Sequence, residues 1–366
     1  MRIGVDCTLF HHERYTGVEN YTLHLVRSLL KIDPANHYTF FFRKEIPKAL
    51  VTSNPLPFAA LVSPSSNRVI TDQIWLPWAV KKARIDLLHC PAYPSPLLVR
   101  LPTVLTIHDA VLWRYPETIS KGARLYYRPL FPQAIRKAKR IIADSLSTKN
   151  DLIKRFPYAK DKVKVIHLSG DPHLFRDHKA SGIPSNPNLK AKRYLLTVGS
   201  IEPRKNLGGL LRAFELAAPN MDKDIYMIIV GRKAWQKDVG IPQAIKNRVI
   251  FTGYIPSNQA LAEIYRNALL FVLPSFYEGF GLPVLEAMWA GIPVLCSRTS
   301  SLPEVSGDAA EYADPWSPED FAEKMVRLLQ NTSLREALIL KGYERARLFS
   351  WEKTAQETLA GYTDAF

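Results

Sequence analysis

LLFVLPSFYEGFGLPVLEAMWAGIPVLCS, residues 269–297, is the stretch on which the fold turns. The apolar run at 269–275 reads as a short buried strand, and Gly279-Phe280-Gly281 then opens a loop in which bare backbone can approach a ligand. Pro283 suits the first turn of a helix, where a missing N–H leaves nothing unsatisfied. That helix turns Leu285 and Met288 inward, ends at Gly291-Ile292-Pro293 and gives way to a second apolar run at 292–297. Strand, loop, helix and strand in this order form a βαβ crossover, the unit of a parallel sheet.

The same alternation extends outward in both directions. Further strands are expected at 194–199, 225–231 and 248–253, and in the first half at 2–6, 38–42, 86–90, 103–109, 140–145 and 163–168. A helix opening at Thr16-Gly17 carries Val18, Tyr21, Leu25 and Leu29 on one face. Residues 169–193 hold Pro172, Pro184 and Pro187 and no sustained period, so they read as a linker. With 366 residues the chain exceeds one ordinary core and divides into two α/β domains: 1–170, a linker 171–193, and 194–349, with 350–366 a helix packing back on the first. Open parallel sheets bind ligands outside the C-terminal ends of their strands, so the expected site is a cleft lined by those ends in both domains.

Composition narrows the class. A hydrophobic content of 47% excludes disorder, and no apolar run approaches the roughly 18 residues that span a bilayer. MRIGVDCTLFHH has no cationic segment leading into an apolar core, so a cytoplasmic protein is expected, and the sequons at Asn20 and Asn331 are chance matches. Cys7, Cys90 and Cys296 lack the spacing of a zinc site or redox pair and read as small buried apolar residues. Residues 1–170 hold 26 of the 49 Lys and Arg but only 12 of the 34 Asp and Glu, which places nearly all of the net charge of +15 in the first half. Within 121–164, 13 basic residues meet only Asp144, Asp151 and Asp161, a face suited to phosphate-rich partners.

Chemistry concentrates in the second half. Glu278 and Glu286 bracket the glycine loop, and SIEPRKN at 200–206 sets Arg204 and Lys205 before a helix, where two cations and free N–H groups suit phosphate. Glu286 is expected in the first turn of its helix. Two carboxylates one loop apart can take hydroxyls at both ends of an extended polar ligand, with loop amides between. Asp222-Lys223-Asp224 precedes its strand, on the side away from such a site, so no metal is expected.

The context of these glutamates resembles glycosyltransferase family 4. Glu278 to Glu286 matches the E-x7-E signature of retaining glycosyltransferases, within PSFYEGFGLPVLEAMWAGIPV and followed by SLPEV and GDAA; the likeness covers most of 194–330, includes VKVIHLSGDPHLF and is fainter in the first domain. The resemblance implies the GT-B fold, two Rossmann-like α/β domains facing a central cleft, with the first binding an acceptor and the second a nucleotide sugar. It implies that Glu286 accepts from the ribose and Glu278 contacts the donor sugar. Arg204 and Lys205 neutralise the diphosphate, the amides of Gly279, Phe280, Gly281 and Leu282 cradle sugar and phosphate, and Gly253-Tyr254 lies beside the base. Many relatives have Arg where this chain has Ser200; either Arg204 takes over that charge or the donor phosphate is held more weakly. In the first domain the resemblance implies that His108 hydrogen-bonds the donor sugar and that Gly17 lets backbone approach the diphosphate. Asp144-Ser145 and Lys149 match a family segment of structural or acceptor-related role.

Implied with these are a metal-independent, retaining hexosyltransferase, by front-face attack or double displacement, and no cofactor, the nucleotide sugar being substrate. VGSIEPRKN looks like the variant of bacterial mannosyltransferases, which favours GDP-mannose as donor; UDP-sugars remain the alternative, and a non-catalytic sugar-nucleotide-binding protein is the rival from another class. The acceptor is expected to be a glycan or lipid-linked glycan. Residues 121–164, with Tyr126, Tyr127 and Phe131, are expected to rest peripherally on an anionic membrane; nucleic acid is not expected, since it leaves the paired glutamates unexplained.

Overall fold

The computed structural model describes residues 1–10, 15, 17–48, 50, 58–92, 94–176, 192–232 and 240–366. The chain divides into two compact units, one of Met1–Leu168 with Ser350–Phe366 and one of Ser169–Phe349. Most of the expected linker, 177–191, and Thr16 of the expected helix opening lie outside the described residues.

The first unit is built on seven parallel strands: β1 (Arg2–Cys7), β2 (His37–Arg43), β3 (Ala59–Ser63), β4 (Leu87–Cys90), β5 (Thr103–Ile107), β6 (Arg140–Ala143) and β7 (Val163–Val165). They lie in the order β3-β2-β1-β4-β5-β6-β7. Val5 of β1 pairs with Phe40 on one side and His89 on the other, so the first strand is central. A sheet covered on both faces needs apolar residues at every position, and β1, β2, β4 and β5 are near-continuous buried runs. Helices α1 (Gly17–Ile32), α2, α3 (Lys121–Lys137) and α4 (Leu146–Arg155) wrap it. Helix α2 is continuous through three pieces, Arg68–Ile70, a π-helical turn Thr71–Trp75 and Leu76–Lys82.

The second unit repeats the plan with β8 (Arg193–Val198), β9 (Ile225–Val230), β10 (Val249–Gly253), β11 (Leu270–Leu273), β12 (Val294–Ser297) and β13 (Glu311–Ala313), ordered β10-β9-β8-β11-β12-β13. Its longer helices are α5 (Leu207–Ala217), α6 (Asn258–Arg266), α7 (Leu282–Trp289), α8 (Pro318–Gln330) and α9 (Thr332–Ala346). Leu195, Leu210, Phe214, Met227 and Met325 form the centre of its core. The last helix, α10 (Trp351–Thr363), belongs to the first unit, where Trp351 stacks on His24 at 4.9 Å and the Tyr362 hydroxyl meets His89 Nδ1 at 2.7 Å.

Both sheets therefore run outward in two directions from their first strand, the doubly wound, Rossmann-like order. Its switch point falls between β1 and β4 in one unit and between β8 and β11 in the other. At such a point the chain leaves neighbouring strands toward opposite faces and opens a crevice. β3 and β13 are additional to the strands expected above.

Candidate active site

At the switch point of the second sheet the exits of β8 and β11 carry the charged residues. After β8 the backbone passes Gly199 and a 3-10 turn, Pro203–Lys205, before Asn206 adopts a left-handed conformation (φ 52°) and caps α5, its side-chain oxygen accepting from Gly209 N at 3.2 Å. The Asn206 amide donates to Pro274 O at 3.2 Å and Pro315 O at 2.7 Å, tying this turn to the next strand exit. Arg204 and Lys205 thus stand before a helix that already has a side-chain cap, and their side chains turn to Glu278. The Lys205 stem crosses Gly199, where an added Cβ would lie 3.5 Å from Lys205 Cε. Gly231, at the exit of β9, admits no side chain because its Cβ would stand 1.8 Å from Gly199 O.

Glu278, 5% exposed, gathers both cations. Lys205 Nζ donates to Oε1 at 2.6 Å and Arg204 Nη1 to Oε2 at 3.3 Å, while Ser275 Oγ adds a bond to Oε1 at 2.6 Å. Arg204 also donates to Glu202 Oε2 at 2.9 Å and to Tyr277 O at 3.1 Å. Burial alone would push the Glu278 carboxyl up, but the attraction of Lys205 and then Arg204 outweighs it and holds the group below the usual carboxylate range. For Lys205 burial wins over Glu278, and its ammonium lies below the usual lysine range. The loop backbone is fixed from outside: Glu278 N donates to Ser300 Oγ at 2.9 Å, and Ser301 Oγ donates to the carbonyls of Glu278 (3.0 Å) and Phe280 (2.8 Å).

Gly281 enters α7 at φ 105°, a backbone that favours glycine. The helix starts at Leu282 with no side-chain cap; Pro283 has no amide to satisfy, and Val284 N donates to Gly281 O at 2.9 Å. Because it starts there, Glu286 is its fifth residue and lies beyond the first turn, a correction to the expected position. Its carboxylate is engaged apart from the cation cluster: Tyr265 of α6 donates to Oε2 at 2.7 Å. Burial pushes the Glu286 carboxyl up, with the Tyr265 bond opposing. Tyr265 is fully buried, edge-on to Phe175 at 5.3 Å and tilted against Phe271 at 5.5 Å, so its hydroxyl has a fixed aim. Gly253 ends β10 with its carbonyl accepting from Gly231 N at 3.0 Å. β10 is two strands from β8, so Gly253 and the partly buried Tyr254 lie roughly 10 Å along the edge from Gly199.

In the first unit His108 follows β5. Its Nε2 lies 2.7 Å from Pro91 O and its Nδ1 2.6 Å from Asp144 Oδ2. A carbonyl only accepts, so Nε2 carries a proton, and a second proton is held between Nδ1 and the carboxylate. Burial pulls the His108 pKa down, but Asp144 more than compensates and the net shift is upward; burial also raises Asp144, whose Oδ1 has no hydrogen-bond partner. Tyr21 stands edge-on to His108 at 4.7 Å and reaches Thr106 Oγ1 at 3.1 Å, which lies 2.9 Å from His89 Nε2. Gly17 is the exposed first residue of α1, and an added Cβ there would meet nothing within 4 Å.

Tyr265, Ser300 and Ser301 escaped the sequence reading because a single hydroxyl more than twenty residues from its partner has no pattern, and Ser275 and Asn206 escaped it because nothing in their own stretches marks what they bond. Asp222 and Asp224 pair with Arg193 at 2.8 and 3.3 Å on the surface, and no group of three metal-ligating side chains occurs among the described residues. The three cysteines are free and buried.

Comparison with known proteins bears on both units. The description "Glycosyltransferase Family 4" matches residues 15–173 and "Glycosyl transferases group 1" residues 181–345. O-antigen chain mannosyltransferase B of Escherichia coli is 32% identical over 292 residues, 78% of this chain and 76% of that protein. Serotype-specific mannosyltransferase WbdA of Escherichia coli is 30% identical over 62% of this chain, which spans only 29% of its length. Among solved structures, HepE of Anabaena in complex with UDP and glucose superposes with a TM-score of 0.76 at 18% identity, covering 99% of both chains.

Proposed function

The chain belongs to glycosyltransferase family 4 and has the GT-B fold, and from that premise we propose that it moves mannose from GDP-mannose to a glycan or lipid-linked glycan, retaining the anomeric configuration and using no metal ion. The observation that carries this reading is the convergence of Arg204 and Lys205 on Glu278 beside the switch point of the second sheet. Relatedness to mannosyltransferases supports the sugar.

Breaking the bond from the anomeric carbon to the diphosphate places negative charge on the leaving group, and fixed cations stabilise that charge as it develops. An ammonium has three donors and Glu278 takes one from Lys205. In this proposal Lys205 and Arg204 meet the phosphates, and Glu278 Oε2, which receives the longer Arg204 bond, accepts a hydroxyl of the sugar. Glu286 offers Oε1 to the ribose while Tyr265 holds Oε2. The amides of Phe280, Gly281 and Leu282 lie against sugar and phosphate, Gly17 offers bare backbone to the diphosphate, and the base rests by Gly253 and Tyr254. His108 exchanges its Nε2–H from Pro91 O to a sugar hydroxyl. A carboxylate bound by two cations and a serine is a weak nucleophile, which favours front-face attack with the leaving phosphate taking the acceptor proton.

Incubation with GDP-mannose, UDP-glucose and UDP-N-acetylglucosamine, with and without EDTA, tests this. The expected result is GDP release from GDP-mannose alone, insensitive to EDTA, with a product whose anomeric proton shows retention. UDP release would reassign the donor, and tight nucleotide binding without turnover on any acceptor pool would assign a non-catalytic binding role.

A further inference from the structure

Helix α2 presents an apolar face to the outside. Ile70, Ile74 and Trp78, spaced four residues apart and so on one side, are 44%, 65% and 54% exposed, while Thr71, Asp72, Leu76, Ala79 and Val80 are buried opposite. Asp72, the one acidic residue of α2, points inward and accepts from Arg68 Nε at 3.1 Å. The helix ends in exposed Lys81 and Lys82, the latter's ammonium 4.8 Å from the centre of the Trp78 ring.

A single side chain extends this face to two neighbouring elements. Gln73 Nε2 donates to the Tyr126 hydroxyl of α3 at 3.2 Å, and its Oε1 accepts from Leu97 N at 3.1 Å. Beside each of these clasps stands a leucine in solvent, Leu125 at 80% exposure and Leu98 at 69%. Helix α3 contains no acidic residue and exposes Lys121, Arg128, Arg136 and Lys137. The aromatic residues expected to meet a membrane are partly buried: Tyr126 is bonded to Gln73, Tyr127 lies 5.5 Å from the Arg68 guanidinium, and Phe131 packs edge-on to Trp113 at 5.4 Å. A contiguous exposed apolar patch marks a contact surface. Aliphatic and Trp side chains on one helical face, flanked by cations of a single sign, fit a layer that is apolar below and anionic at its rim.

We propose that α2, with Leu98 and Leu125, seats the protein on a bilayer containing anionic lipid, Ile74 and Trp78 entering the headgroup layer while Lys81, Lys82 and the α3 cations meet its phosphates. The proposal deepens the lipid-linked acceptor reading above and takes its purpose from it. Co-sedimentation with phosphatidylcholine vesicles and with mixed phosphatidylcholine–phosphatidylglycerol vesicles tests it on the full chain. Wild type binds the mixed vesicles and loses them as salt rises. Ile74→Ser/Trp78→Ser lowers the partition at least about tenfold, because two large side chains no longer leave water. Lys81→Glu/Lys82→Glu lowers it by a similar factor and flattens the salt dependence. Both pairs keep the thermal transition and GDP release with detergent-dispersed acceptor. Equal binding to the two kinds of vesicle, or wild-type binding by Ile74→Ser/Trp78→Ser, overturns the proposal. So does self-association that this variant abolishes in a protein that ignores vesicles, which would assign the face to a second copy of the chain. Vesicle binding without turnover removes the donor reading alone, and turnover without vesicle binding removes this one alone.

Discussion

Glu278 and Asp144 are both carboxylates buried at the C-terminal edge of a doubly wound parallel sheet, yet one lies below the usual carboxylate range and the other above it. Burial acts upward on both. Glu278 meets two full cations and a hydroxyl, so attraction exceeds the desolvation cost. Asp144 meets one buried imidazole and leaves an oxygen without a partner, so burial prevails and a proton stays with the pair. Around it the first unit continues in neutral hydrogen bonds: burial, and then His108, push His89 down to about 3, so its imidazole is uncharged between Tyr362 and Thr106. One topology thus supplies an ionic edge in the second unit and a proton-holding edge in the first.

Removing the carboxylate of the ionic edge should have the largest effect. Glu278→Gln strips Lys205 and Arg204 of their shared counter-ion, so the cations remain and the sugar loses its acceptor. The expected kcat falls roughly 10²–10³-fold while GDP binds as tightly or more tightly. Leaving a buried charge without its partner also costs about 3 kcal/mol of stability, read from chemical denaturation. Unchanged kcat would erase the contrast between the two edges. Glu286→Ala is expected to act on affinity instead, weakening GDP about 10–100-fold by calorimetry, since hydrogen bonds to a charged group are lost. Tyr265→Phe sharpens the same point on a smaller scale: one donor to Glu286 disappears and GDP weakens about fivefold, with kcat kept. If 2′-deoxy-GDP loses as much as GDP does in this variant, Tyr265 acts on packing alone.

How much of this was legible in the sequence depended on whether the signal was a run or a contact. The buried strands at 38–42 and 225–230 were readable because a parallel sheet demands apolar residues at every position. β3 and β13 were not, being an edge strand with one buried residue in five and a strand of three residues, too short to show a period. At the site, Glu278, Arg204 and Lys205 came forward through motif and resemblance, but their joining did not, since it depends on where the exits of β8 and β11 fall in space. Glu286 falls outside the expected first turn because Pro283 marks that turn without fixing its first residue, and the helix opens one residue earlier, at Leu282. In the first unit the basic composition of 121–164 was plain, but the bond that ties Tyr126 to Gln73, fifty-three positions earlier, was not.

The smallest effect belongs to the proton-holding edge and is one of slope. Because the folded pKa of His108 is raised above the ordinary 6.5, its pairing stabilises the protein fully below that value, and the contribution is lost as pH rises through the raised one. Above pH 6.5 the folded state holds a proton that the unfolded state has released, so stability falls with pH. Asp144→Asn should reverse this without breaking the packing. The new amide can donate to Nδ1 while Nε2–H still donates to Pro91, which satisfies a neutral imidazole. Burial then acts on His108 with only Asp109 and the Pro91 bond opposing, beside uncharged Tyr21 and His89 and with His167 facing the replaced carboxylate. Its pKa should drop below 6.5, so the variant loses stability as pH falls through that region and keeps it as pH rises. Thermal transitions between pH 5.5 and 8.5 should differ in slope by roughly 1 kcal/mol across the range, with the His108 imidazole titration followed by NMR. Parallel slopes in the two proteins would mean that the pair carries no shared proton, and the contrast with Glu278 would reduce to a difference in burial.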